Sequence, residues 1–488
     1  MRDELLLVLD SGTSSTRALL YDAAGRIHGS ASRAITQHYP APGLVEHDAT
    51  EIWSLSRACL AEMIAQAGGP SRIAAIGITN QRETVVAWDQ RSGQPLARAI
   101  VWQDRRTADA CAALQAFGHG PEVERRTGLR LDPYFSATKM AWLLEHDDAV
   151  RAAGDALAFG TIESWLLFNL TGDHLTDVSN ASRTLLLDLD GTTFAEDLCD
   201  LFALPRASLP AVVPTAGALG RTRAELFGRA IPVTAMIGDQ QSATVGQACL
   251  QPGETKLTLG TGAFVLTNVG TCRPQPTNGL LGTILHEVGG GERHYALEGA
   301  VFVAGSLIKW LRDNLGILAS AAETEALARS VPDSGGVTLL PALAGLGAPY
   351  WKPEATAAVA GLTFATTRAH LARAALETVS HQLVDLAAAF AAAGAPWAQL
   401  RLDGGMAAND WLAQDLSDML GLTVERPADV ETTARGAAIM AAVGAGLHPD
   451  LEAAATAMTP ATQRFASRDL GEKRERRLKA WRELVERA

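Results

Sequence analysis

Short apolar runs bounded by polar, glycine-bearing turns alternate with longer stretches of helical period along most of the chain. Leu5 to Leu9 is an unbroken apolar run. It predicts a buried strand, and the apolar pattern resumes at Ala18 after a small-residue turn, so the chain opens as strand, turn and strand. Arg72 to Thr79 predicts another buried strand, with Val85 to Trp88 as its hairpin partner and Ala99 to Trp102 as a further short strand. Helical spacing covers Thr50 to Ala65, where Asp48 followed by Glu51 has the spacing of a capping box. It also covers Ser136 to Glu145, Glu377 to Ala393 and Glu472 to Arg487; the last places Leu478, Trp481, Leu484 and Val485 on one face. Leu209 to Pro232 reads as a crossing region with turns. Val233 to Ile237 then predicts a strand, with Asp239 expected to cap the helix that follows. From Thr255 the strand-turn-strand pattern restarts, and Gln399 to Leu402 predicts a strand ending at Asp403-Gly404-Gly405. The restart is a weak internal repeat. It predicts an α/β protein of two domains, residues 1–250 and 251–488.

A length of 488 residues supports two cores rather than one. With 47% apolar and 20% charged residues, the composition is that of a globular protein. A net charge of -12 argues against nucleic acid or an anionic membrane as partner, while leaving room for a local phosphate site. No run reaches the roughly 18 to 20 apolar residues of a membrane span, and Leu386 to Ala398 reads as a buried Ala-rich helix. Asp3 and Glu4 stand where a signal peptide carries basic residues. The five cysteines are scattered, with no C-x-x-C pair, so a reduced cytoplasmic protein without structural zinc is expected.

The chemistry gathers in the turns. In Asp10-Ser-Gly-Thr-Ser-Ser-Thr-Arg17, Gly12 permits close backbone approach, successive N–H groups can form an anion nest, and Thr13, Ser14 and Ser15 add hydroxyl donors. Asp10 could hold Mg²⁺ directly or through water. Taken alone, the same turn is as readily an ordinary polar hairpin turn. Gly260-Thr261-Gly262 offers a second cradle. Asp403-Gly404-Gly405 leads into a helix start near Asn409, which presents free N–H groups to a nucleotide or is simply a strand-to-helix connection. Asp239, in Gly238-Asp-Gln-Gln241, reads as an N-cap, and together with that as a cleft carboxylate able to take a proton from an attacking hydroxyl. Arg82 and Glu83 read either as a solvated pair or as a donor and an acceptor for polyol hydroxyls, and Trp102 and Phe264 either as core or as apolar walls.

In this order the pieces resemble the FGGY carbohydrate kinases over nearly the whole chain. The resemblance rests on Ile76-Gly-Ile-Thr-Asn-Gln-Arg-Glu-Thr84, Ile100-Val-Trp-Gln103, Asp132-Pro-Tyr-Phe-Ser136, Asn180-Ala-Ser-Arg183, Gly238-Asp-Gln-Gln241, Ala296-Leu-Glu-Gly-Ala-Val-Phe302 and Gly345-Leu-Gly-Ala-Pro-Tyr-Trp351. The Arg-Glu pair and the Pro-Tyr-Phe segment are similar to the branch acting on glycerol rather than to the pentulose kinases. The resemblance implies an actin-like fold, with two ribonuclease-H-like domains closing on ATP and glycerol, and Asp239 as general base. It implies that Arg82, Glu83, Tyr134, Asp239 and Gln240 hold substrate between Trp102 and Phe264. It assigns Thr13, Ser14, Ser15 and Arg17 to the first phosphate loop and Thr261 to the second. Gly305, Lys309, Gly405 and Asn409 fall to the nucleotide, and Asp10 to Mg²⁺.

The sequence departs from the family pattern at Lys309, where Gln is usual, at Ser11, another usual Gln position, and at Lys352, Thr356 and Ala357, where an Asp, an Arg and a Gly are usual. Phe227-Gly-Arg-Ala230 stands in place of the loop that binds fructose 1,6-bisphosphate in some members, so no response to that sugar phosphate is expected. No His lies between Leu209 and Met236, so control by His phosphorylation there is not expected either. A homodimer or homotetramer is implied by resemblance alone. Two alternatives stand beside this reading: a kinase for erythritol or another short polyol, and a non-catalytic ATP clamp of the actin or Hsp70 type.

Overall fold

The computed structural model describes residues 4–289, 291–352, 354–429 and 431–488. One large sheet comprises β1 (Leu5–Ser11), β2 (Ser15–Tyr21), β3 (Ile27–Ala34), β4 (Ile73–Asn80), β5 (Ala216–Arg221) and β6 (Pro232–Gly238), in the order β5-β6-β4-β1-β2-β3. The other comprises β7 (Glu254–Leu259), β8 (Ala263–Gly270), β9 (Leu281–Glu287), β10 (Arg293–Val301), β11 (Gln399–Asp403), β12 (Val424–Pro427) and β13 (Thr462–Phe465), in the order β9-β10-β8-β7-β11-β12-β13.

The two orders superimpose. β3-β2-β1-β4-β6-β5 corresponds to β10-β8-β7-β11-β12-β13, and every pairing matches in direction: antiparallel, antiparallel, parallel, parallel, antiparallel. Only β9 is additional. The weak repeat in the sequence is thus a repeat of whole sheets, and the α/β, ribonuclease-H-like architecture is as expected.

Helices that frame the sheets are α1 (Ala49–Gln66), α2 (Ser136–His146), α3 (Ile162–Thr171), α4 (Asp239–Gly246), α5 (Gly305–Asp313), α6 (Arg368–Ala392), α7 (Asp410–Leu420), α8 (Thr432–Gly444) and α9 (Glu472–Glu486). β1 shows why its sequence is apolar from Leu5 to Leu9. Successive side chains alternate between faces. Leu5, Leu7 and Leu9 pack with Ile52, Leu60 and Met63 of α1, while Leu6 and Val8 pack with Ala437, Ala438 and Ala441 of α8. A strand covered on both sides keeps no polar alternation. α8 lies far along the chain yet covers the first sheet, so the two sequence halves interlock at this face. The crossing of α8 on α4 is tight: a Cβ on Gly436 would collide with the Ser242 carbonyl, and one on Gly246 with the Thr432 carbonyl.

Several expectations need correction. Val86–Asp89 does not return along β4. It pairs with Leu157–Gly160 and Gln94–Pro95 in a separate three-stranded sheet, and Ala99–Ile100 pairs with Glu46–His47. Periodicity reveals that a strand exists but not which neighbour it finds. The crossing region after Leu209 contains an edge strand of the first sheet, β5. Asp48 does cap α1, accepting from Thr50 N and Glu51 N. Glu51, however, accepts from Thr36 N and Thr36 Oγ1, so the capping box does not close. α6 begins at Arg368, nine residues before the expected start.

Candidate active site

β4 and β6 run parallel and end side by side, which delivers Gln81-Arg82-Glu83 and Gly238-Asp239-Gln240 to one edge of the first sheet. Arg82 and Glu83 are both buried, at 3% and 1% exposure. Glu83 is a non-glycine residue at φ 61°, a sparsely populated region that is kept where packing overdetermines it. The solvated-pair alternative is therefore excluded, but the two side chains do not chiefly bind one another. Arg82 makes a two-pronged contact with Glu298 of β10, at 2.8 and 3.1 Å. Glu83 accepts from Arg183 Nε at 2.7 Å, and Arg183 also reaches Glu298 at 3.3 Å. Two guanidinium groups and two carboxylates thus alternate in a buried quartet that joins the first sheet to the second. Burial by itself would raise the Glu298 pKa; Arg183 and Arg82 outweigh it and hold the carboxyl at about 2.

Asp239 sits at the open end of this quartet. Arg82 Nε lies 3.3 Å from its Oδ1, and 31% of its side chain faces the cleft. Asp239 is not the N-cap: that position is Gly238, and Asp239 is the first residue of α4, its Oδ1 accepting from Gln240 N at 2.7 Å. Desolvation raises its pKa to about 6, against the pull of Arg82. Tyr134 closes another side. Its hydroxyl is 3.5 Å from Arg82, and its ring meets Trp102 edge-on with centroids 5.6 Å apart. Trp102 Nε1 donates to Thr13 Oγ1 at 2.9 Å, which ties the aromatic wall to the first small-residue turn. Phe264 is half-buried on β8, paired in register with Thr258 and Ala300.

The first turn is pinned by Gly12 N donating to Ser15 O and by Gln81 Nε2 donating to Gly12 O, while Ser14 is exposed at its tip. Asp10 is buried and ion-paired through Oδ2 to Arg17, which also holds Glu431 at 2.8 Å. Burial raises the Asp10 pKa, and Arg17 opposes the rise. The second turn caps a helix: the Thr261 carbonyl accepts from Ala304 N, Ser306 N and Ser306 Oγ at the start of α5. Beside it lies a cavity of about 580 Å³ lined by Gly260, Gly305, Lys309, Arg312, Thr324, Gly405, Met406 and Asn409, among others. Gly404 has φ 91°, and a Cβ there would strike the Leu259 carbonyl. Asn409 caps α7 through Leu412 N and donates to Thr324 Oγ1. Of the residues expected at the nucleotide, Gly305, Lys309, Gly405 and Asn409 line this cavity. Thr261 adjoins it at the start of α5. A second cavity, of about 540 Å³, lies between α6, α7 and α9; its four arginines each already pair with a carboxylate.

Sequence reasoning left several members of this arrangement without a role: Arg183, Gln241, Lys256 and Glu298. Their signal was a charged or amide residue inside an apolar strand or a small-residue turn, as in Tyr295-Ala-Leu-Glu298-Gly-Ala-Val and Thr255-Lys256-Leu.

Among the described residues, no group of three or more His, Cys, Asp or Glu is placed to hold a metal by itself. Mg²⁺ in phosphotransferases commonly needs only one or two carboxylates besides substrate phosphates. Asp10 fits that modest requirement, with Oδ2 on Arg17 and Oδ1 left for a cation.

The model of the FGGY family of carbohydrate kinases, N-terminal domain, matches residues 5–246, and that of its C-terminal domain matches residues 255–445. The glycerol kinase of Citrifermentans bemidjiense is 48% identical, over 99% of this chain and 98% of its own. That of Methylobacterium nodulans is 50% identical, over 99% and 97%. Among solved structures, Plasmodium falciparum glycerol kinase with ADP superposes with a TM-score of 0.95 at 34% identity, covering 99% of this chain and 98% of that one. A xylulose kinase from Rhodospirillum rubrum gives 0.90 at 27% identity, covering 99% of each. The chain belongs to the FGGY family of carbohydrate kinases.

Proposed function

We propose that this protein transfers the γ-phosphoryl group of ATP to a terminal hydroxyl of glycerol, giving sn-glycerol 3-phosphate. The observation that carries the reading is the cleft carboxylate of Asp239, set beside Arg82, Glu83 and Tyr134 in a chain about half identical to glycerol kinases from end to end. In this reading Arg82, Glu83, Tyr134, Asp239 and Gln240 hold the polyol hydroxyls, and Trp102 and Phe264 flank its carbon chain. The Arg82 and Glu83 side chains are already oriented by Glu298 and Arg183, so little ordering is left for the substrate to impose. A site of fixed donors and acceptors rejects analogues that lack the matching hydroxyl.

Asp239, with a pKa near 6, is mostly ionised at neutral pH and can accept the proton of the attacking hydroxyl. Phosphoryl transfer depends mainly on alignment and charge neutralisation, so a weak base suffices. Thr13, Ser14, Ser15 and Arg17 approach the phosphates from one side and Thr261 from the other, while Gly305, Lys309, Gly405 and Asn409 receive the nucleoside. Mg²⁺, held through Asp10, would neutralise phosphate charge. Closure of two domains, divided near residue 250 between α4 and β7, excludes water from the transfer.

A cytoplasmic setting is part of the proposal. All five cysteines are free, and among the described residues no helix is long and apolar enough to cross a membrane. Assembly as a homodimer or homotetramer, and indifference to fructose 1,6-bisphosphate, belong to the same reading; the latter is supported by the exposed Gly228 and Arg229 where the sugar-phosphate loop would stand. The test is Asp239→Asn, assayed for turnover and, by calorimetry, for glycerol binding. Turnover is expected to fall by several orders of magnitude with glycerol affinity largely kept; near-normal turnover removes Asp239 from the mechanism.

A further inference from the structure

Lys256 is fully buried on β7, yet no carboxylate among the described residues forms an ion pair with it. Its ammonium donates instead to two neutral oxygens, Gln240 Oε1 at 2.5 Å and Thr258 Oγ1 at 3.0 Å. Thr258 lies two residues along the same strand and therefore on the same face. Gln240 lies across the cleft, in the first turn of α4, directly after Asp239. A buried lysine without a counter-ion costs stability and is easily replaced by an apolar residue, so its presence calls for a role other than holding the fold.

We propose that Lys256 is a positioning residue for phosphoryl transfer: reaching from the second sheet, it anchors the Gln240 side chain and places a positive charge beside Asp239. The inference rests on the kinase reading given above.

The charged groups around this point act in different directions. Asp239 faces Arg82, Glu83 and Lys256; of these, Arg82 and Lys256 favour its ionised form and Glu83 opposes it. Lys256 faces Asp403, Asp239, Arg82 and Glu298. Its own pKa is lowered, first by burial, while Asp403 and Asp239 pull it back up. The lysine thus supplies one of two cationic influences that keep the base ionised. Unlike Arg82, it is not committed to the ion-paired quartet. Because Gln240 and Asp239 are adjacent on one helix turn, the same ammonium also fixes the amide that neighbours the base.

The test uses Lys256→Met, which removes both hydrogen bonding and charge, and Lys256→Gln, which can still donate to Gln240 but carries no charge. Three quantities are measured: the pH profile of kcat/KM, KM for glycerol, and the melting temperature. Wild type is expected to lose activity as pH falls through about 6, as Asp239 takes up a proton. Both variants are expected to move that acid limb upward by about one unit, since removing a nearby cation disfavours the carboxylate. Lys256→Met is expected to lower kcat at least about tenfold and to raise KM for glycerol, while Lys256→Gln recovers KM but not the acid limb. The melting temperature should hold or rise in both. A purely structural lysine would give the opposite pattern, with lower melting temperatures and an unmoved pH profile.

Infrared difference spectra of the protonated carboxyl, taken against Asp239→Asn, give the Asp239 titration without turnover. An upward-shifted titration supports the proposal even if glycerol proves not to be the acceptor. An unshifted titration in folded Lys256→Met and Lys256→Gln overturns it even if glycerol kinase activity is confirmed.

Discussion

Glu298 shows how the site is held at the scale of single residues. It receives both terminal nitrogens of Arg82 and one of Arg183, and all three side chains are buried. Removing one member strands the others as uncompensated charges, at a cost of about 3–5 kcal/mol. Glu298→Gln is therefore expected to lower stability in urea by about that amount and to raise KM for glycerol through loss of Arg82 alignment. A variant of wild-type stability would show that the quartet contributes nothing. The sign with pH follows from the depressed pKa. The carboxylate's contribution is complete above its unfolded value, near the ordinary range for Glu, and is lost as pH falls toward about 2. The sequence displayed Arg82, Glu83 and Asp239 because they stand in polar turns at strand ends. It did not reveal Glu298 or Arg183 as partners. Their contacts join positions 100 or more residues apart, and no local pattern encodes a pairing of that kind.

Among elements, the crossing of α8 on α4 sets how close the helix bearing Asp239 can lie to the first sheet. Two glycines make the crossing possible, Gly246 and Gly436, each facing a backbone carbonyl of the other helix. Propensity and packing disagree in sign at Gly436. In a free helix interior, Gly→Ala stabilises by about 1 kcal/mol. Here the added methyl must push two backbones apart, an overpacking cost of typically about 1–3 kcal/mol. Gly436→Ala is expected to lower the urea midpoint and, by shifting α4, to reduce kcat; a raised midpoint would mean that the helices do not touch as described. At this scale the sequence was informative about strands with both faces buried, such as β1, and about helices with one apolar face, such as α9. It misled where an element's partner lies outside its own neighbourhood. Val86–Asp89 follows β4 closely and looks like its hairpin return, yet pairs with Leu157–Gly160. Asp239 has the residue type of a helix cap, but the strand runs one residue further and Gly238 takes that position.

For the whole molecule, the matching strand orders of the two sheets explain why one chain carries two small-residue turns at equivalent positions. The β1–β2 turn and the β7–β8 turn are the same turn in two copies of one topology. The duplication could be sensed from the restart at Thr255, but the equivalence of all six strand positions required the structure. Arg82 and Glu298 join the two copies, with Asp239 beside Arg82 on the first and the cavity beside Gly305 and Gly405 on the second. An ATP clamp of the actin type would need the turns and the cavity but not the hydroxyl binding proposed for the groups around Arg82. A kinase for a longer polyol would need the same groups in a roomier pocket. One assay separates the three: Mg-ATP-dependent ADP release from the purified protein with glycerol, erythritol, xylulose or no acceptor. The expected result is release fastest by far with glycerol, with glycerol 3-phosphate as product. Release that is equally fast without an acceptor, or fast only with a larger polyol, would contradict the assignment.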